Sequence, residues 1–152
     1  MKKFMNLLFF VIIFSVFLFS SCGYCKEIDY YSDRNNYIVA TGVVDFINFT
    51  DDKDGRSSNR LYIGFSDISE KFEDNCFVVI GRNMDTVLEN GIETKLNIGD
   101  KVTFVAAPKV FGDGYVLPIV SMTIDEEELL GFDEGYLNLL EWLKKKVLLM
   151  FK

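Results

Sequence analysis

Three cysteines, an acidic loop and a complete lack of histidine set the limits on what chemistry this 152-residue chain can do. Without histidine it has no imidazole general base and lacks the usual zinc ligand. Every Ser–His or Cys–His nucleophile pair is also excluded. Asp52, Asp54 and Gly55 fall at positions 3, 5 and 6 of a calcium-loop spacing, but Thr50 and Leu61 stand where the first and last ligands belong. That stretch therefore reads as a solvated loop. Carboxylates are plentiful, yet none sits in the context of a glycosidase pair. No glycine-rich phosphate loop or nucleophile elbow occurs. Neither an enzyme nor a cofactor or metal site is expected.

The cysteines point to location instead. Lys2 and Lys3 precede an apolar run from Leu7 to Phe19, followed by Ser20, Ser21 and Cys22. A positive start, a short apolar core and small residues before a cut are the parts of a secretory signal. The run is shorter than the roughly 20 residues of a membrane span. These residues resemble a bacterial lipoprotein signal peptide, with Phe19 in place of the usual leucine. The resemblance implies that Cys22 is diacylated and becomes the new N-terminus. It implies a domain held to the outer face of the cell membrane through a lipid anchor. An uncleaved anchor from Phe4 to Ser21, or simple secretion, leads to the same compartment. In an oxidising compartment a Cys25–Cys76 disulfide is one reading. The other is that Cys76, followed by Phe77, Val78 and Val79, is a small core residue.

Residues 1–21 carry two lysines and no acid, so the remaining chain has 14 basic and 23 acidic residues, a net charge of −9 against −7 for the whole. That balance repels nucleic-acid backbones and anionic lipids at long range. The remaining length suits one domain.

Residues 22–36 are polar and aperiodic and read as a tether. Tyr37 to Phe49 is a long strand rich in β-branched and aromatic residues, and Gly42 suggests a bulge or sharp bend where the sheet curls. Thr50 to Asn59 is a polar loop. Leu61, Ile63 and Phe65 alternate with Tyr62, Gly64 and Ser66 as a strand with one apolar face. Cys76 to Ile80 is a short apolar strand. Asn83 to Asn90 suits a helix ended by Gly91. Val102, Phe104 and Ala106 mark a fourth strand, Gly112 to Gly114 a turn, and Tyr115 to Ile124 a fifth strand. The acids at 125 to 128 suit a helix start. From about Glu134, Tyr136, Leu139, Leu140, Leu143 and Val147 form a helical apolar stripe.

This order resembles the OB-fold over residues 37–124. The expected class is mainly β: a five-stranded OB-like small barrel, a short helix between strands three and four, and an amphipathic helix added over 125–152. Lipid anchor and barrel together resemble the small exported OB-fold proteins of bacteria. The resemblance implies ligand binding between the loops Thr50–Asn59 and Pro108–Gly114. Arg56, Arg60 and Tyr62 would lie on one side, Lys109, Phe111 and Tyr115 on the other, as cations beside rings. The expected function is a non-enzymatic cell-envelope binding module for a protein, peptide or glycan. Oligonucleotide binding and a structural role in an envelope complex, through the apolar end of the last helix, are the alternatives.

Overall fold

The computed structural model describes residues 26–50, 59–111 and 116–150, the last four by backbone alone. Cys22, Cys25, Arg56 and Tyr115 lie outside these residues, as do Asp52 and Asp54.

The described chain is mainly β. Strands β1 (Ile38–Thr50), β2 (Arg60–Ser66), β3 (Cys76–Ile80), β4 (Lys101–Ala106), β5 (Leu117–Ile124) and β6 (Glu127–Leu130) form one sheet in the order β3-β2-β1-β4-β5-β6. An additional parallel pairing, Phe77 with Leu117 and Val78 with Pro118, joins β3 to β5. Strands β1 to β5 therefore form a ring, and every other pairing in it is antiparallel.

Side chains alternate across each strand, so one set fills the ring. Leu61, Ile63 and Phe65 of β2, Phe77 and Val79 of β3, and Val102, Phe104 and Ala106 of β4 are buried there. Phe65 and Phe104 stack at 4.6 Å, and Phe77 meets both edge-on at 5.3 and 4.7 Å. Such offset and edge contacts suit the ring quadrupoles. Gly42 of β1 makes room for this trio, because a Cβ there would lie 2.9 Å from the Cβ of Phe65. The interior is a packed core with no lumen needed to explain it. Gly42 is thus a close-approach residue. Gly42 itself pairs regularly with Val102, and the bulge of β1 falls between Val44 and Phe46.

Helices α2 (Arg82–Glu89) and α3 (Ile92–Lys95) connect β3 to β4. Met84, Val87 and Ile92 close one end of the core. The last helix, α4 (Phe132–Met150), packs on the outside of the ring against β5. Gly135 makes this possible: a Cβ there would fall 2.0 Å from the Val120 carbonyl oxygen. The Gly135 carbonyl in turn accepts a hydrogen bond from Asn83 at 3.0 Å.

Two sequence expectations are corrected. Residues 125–128 do not start a helix. They form a tight hairpin into β6, with Asp125 and Glu126 both at positive φ (49° and 66°) and Ile124 paired with Glu127. That left-handed pair matches the turn that closes two-residue hairpins. The second correction concerns residues 26–36, which are folded onto the domain. Residues 26–32 are helical (α1), and a 3-10 turn follows at Arg34–Asn36. Tyr31 is 1% exposed. Its hydroxyl donates to the Lys109 carbonyl at 2.7 Å, while Tyr37 donates to the Tyr31 carbonyl and Tyr136 to that of Ser32. Polar tyrosine tips hid the burial of their rings from a reading based on polarity.

Candidate functional site

The outer face of the ring is divided. Three cross-strand rows run over β1, β2 and β3: Phe46–Gly64–Cys76, Asn48–Tyr62–Val78 and Thr50–Arg60–Ile80. On the β3 side, Val78 and Ile80 join Val120 of β5 in a second buried cluster. Leu139 and Leu143 of α4, Tyr31 of α1, Ala107 and Phe111 cover them. On the β1–β2 side Phe46 and Asn48 are exposed, while Arg60 and Tyr62 are half-buried. Phe46 remains 48% exposed there.

The candidate residues divide along the same line. Phe111 is only 8% exposed and packs edge-on against Tyr31 (5.7 Å) and Trp142 (5.4 Å). It is a core residue of the second cluster, with no open face for stacking. Lys109 is anchored by its backbone carbonyl to Tyr31, and its ammonium sits 4.8 Å from the Tyr30 ring centroid. Both belong to the junction between α1 and the ring. Arg60 and Tyr62, by contrast, stand together on β2, where the Arg60 Nη1 donates to the Tyr62 hydroxyl at 3.2 Å. Tyr62 is half-buried, its inner edge touching the second cluster. The Arg60 Nε is buried with no hydrogen-bond partner among the described residues.

The sequence reading missed Phe46 and Asn48. The bulge at Val44/Phe46 is responsible, because one inserted residue exchanges the faces of everything after it. Phe46 would otherwise read as a core position. Gly64 is the available signal: a Cβ there would lie 3.0 Å from the Cβ of Phe46 and 2.7 Å from an Asp45 carboxylate oxygen. A glycine in mid-strand opposite an aromatic marks a ring lying flat over backbone. The resulting surface carries two aromatic rings, an exposed amide (Asn48), a guanidinium and a carboxylate (Asp45). It can stack planar or C–H-rich ligand faces and satisfy polar edges.

Cys76 closes the first row. It is half-buried, and burial followed by the neighbouring Asp74 raises its thiol pKa. Asp74 caps the strand by accepting from the Cys76 amide at 2.9 Å. No disulfide to Cys76 occurs among the described residues. Also among them, no group of three or more His, Cys, Asp or Glu side chains is placed to hold a metal, and no helix is long and apolar enough to cross a membrane.

Comparison with known proteins finds no matching family model, no similar curated protein and no matching solved structure.

Proposed function

We propose that this protein is an exported, lipid-anchored, non-enzymatic binding module of the cell envelope. In this reading Cys22 is the lipidated residue and the domain stands on the extracytoplasmic face of the cell membrane. The ring is an OB-type barrel. The observation that carries the fold reading is strand order: β1-β2-β3-β5-β4, closed by one parallel β3–β5 pair, with a helix between β3 and β4. OB barrels bind ligands on the outer β2–β3 face. Here α4 takes the β3 half, which leaves the β1–β2 half with Phe46, Asn48, Arg60 and Tyr62.

The ligand class that fits is a glycan or peptide of the envelope. Aromatic faces beside amide and guanidinium groups suit sugar rings and extended peptides, and the net charge of −9 outside the signal opposes a polyanion. The fold reading rests on topology, and fold alone does not fix function. Hence the test addresses the surface. The full chain and its Phe46→Ala/Tyr62→Ala variant are applied to arrays of envelope glycans and peptides. Binding by the wild type and its loss in the variant, with the fold intact by circular dichroism, is the expected result. Binding that the variant retains, or none by either protein, contradicts it. Tight salt-dependent binding of single-stranded DNA would favour the oligonucleotide reading instead.

A further inference from the structure

Strand β1 outruns one of its two neighbours. Its first half pairs with β4 as far as Val43 with Lys101. The turn before β4 adds two bonds: the Val44 amide donates to the Asp100 carbonyl at 2.9 Å, and the Gly99 amide donates to the Val44 carbonyl at 2.7 Å. Beyond Val44 the strand runs on to Thr50 with β2 as its sole described neighbour. The alternation of the ladder fixes which main-chain groups are left over. The Phe65 amide donates to the Asn75 carbonyl, so the odd residues of β2 bond toward β3, while Gly64, Tyr62 and Arg60 bond toward β1. Opposite them stand Phe46, Asn48 and Thr50. The amides and carbonyls of Ile47 and Phe49 therefore point off the edge of the sheet, and no described residue pairs with them. Such a row of unmet donors and acceptors is a template for one more strand.

The side chains around this edge are apolar. Phe46 (48% exposed), Phe49 (38%) and Ile98 (69%) border it. Phe46 lies on the outer face. Ile47 packs against the main core, and Phe49 shares its face by alternation. Ile98 stands in the turn that bonds Val44. A strand added here would meet an aromatic ring on each of its faces. Asp45, exposed at the start of the edge, carries the single charge between residues 45 and 50.

We propose that residues 45–50 of β1 bind an extended peptide by strand addition, with apolar or β-branched residues on its two faces and a lysine or arginine beside Asp45. Main-chain donors and acceptors that recur every second residue, roughly 7 Å apart, match the repeat of an extended polypeptide, and neither sugar rings nor bases share it. A second copy of this chain could also supply a strand. Each copy carries a net charge of −7, however, and the edge adds an acid of its own, so charge favours a basic partner. Edge binding does not depend on what the outer face binds, because it uses main-chain groups that Phe46→Ala/Tyr62→Ala leaves in place.

Amide hydrogen exchange of the full chain, read residue by residue by NMR, tests the idea. In dilute solution the Ile47 and Phe49 amides should exchange freely, while β2 protects those of Asn48 and Thr50. The probe is a short synthetic peptide that alternates valine and threonine between terminal lysines. At millimolar concentration it should slow exchange at Ile47 and Phe49 about tenfold or more. The same peptide with terminal glutamates should protect far less. A version N-methylated at every residue has no donors and should not protect at all. In the protein, Phe49→Ala keeps the edge donor and Phe49→Pro removes it. The peptide should protect Ile47 in the first and not in the second, with Asn48 and Thr50 protected in both when the hairpin is intact. Three results overturn the proposal. Protection of both amides in the free, dilute chain would put a strand of the chain itself on the edge. Protection that rises with protein concentration in the absence of peptide would make a second copy the occupant. No slowing by the lysine-ended peptide, or equal slowing by the glutamate-ended or N-methylated one, would remove the peptide site altogether.

Discussion

The two halves of the outer face are built from the same strands with the same alternation, yet one is core and the other is surface. On the β3–β5 half the outward residues are Val78, Ile80 and Val120, compact and β-branched, and α4 lies on them. On the β1–β2 half they are Phe46 and Asn48, which are exposed, and Arg60 and Tyr62, which are half-buried, Tyr62 against the edge of the covered cluster. Strand pattern alone does not decide burial. What decides it is whether a later element can approach, and here that depends on a missing side chain at Gly135. An aromatic residue appears on both halves, but Phe111 has Tyr31 and Trp142 as neighbours whereas Phe46 has a glycine.

The largest expected effect comes from removing that approach. Gly135→Val drives a side chain into the Val120 carbonyl and should undock α4, costing about 3 kcal/mol or more. Chemical denaturation would measure it. A loss under about 1 kcal/mol would mean α4 contributes little to the covered half. Next comes the lock formed by α1. Burial holds the Tyr31 and Tyr37 phenols well above their ordinary pKa of 10.0, with neighbouring tyrosines adding to the effect. Both are neutral when folded and ionise more readily when unfolded. The stability this provides is complete below pH 10 and declines as pH rises above it. Thermal melts from pH 8 to 11.5 should show that decline, and Tyr31→Phe/Tyr37→Phe should flatten it. An unchanged slope would place the alkaline sensitivity elsewhere. Tyr31→Phe alone, at neutral pH, gives up one hydrogen bond to Lys109 and should cost about 1 kcal/mol. The smallest effect belongs to the open half: Phe46→Ala should change stability by less than about 1 kcal/mol, because half of the ring is already in water.

Much of the scaffold was legible. Val102, Phe104 and Ala106, and Leu61, Ile63 and Phe65, alternate cleanly and occupy the interior as read. Asn83 to Asn90 is helical within a residue, and the stripe Tyr136, Leu139, Leu143 is buried. Three features were hidden for physical reasons. The Asp125–Glu126 turn uses residues that tolerate positive φ without the Asn–Gly pair that usually signals it. The α1 tyrosines bury rings while keeping hydroxyls bonded to carbonyls, so polarity masks a core contact. The division of the outer face depends on the contacts Tyr31–Phe111–Trp142 and Gly135–Val120, which no local pattern connects. Of the candidate cations and rings, Arg60 and Tyr62 stand together on β2, both half-buried. Phe111, a candidate ligand contact whose other reading was packing, is buried in the second cluster.

The comparison is tested most directly by equilibrium unfolding of Phe111→Ala beside Phe46→Ala. One phenylalanine is removed in each case, from the two halves of one face. The division described here requires Phe111→Ala to cost about 3 kcal/mol and Phe46→Ala less than about 1. Equal losses, or a greater loss at Phe46, would contradict it and return Phe111 to the surface.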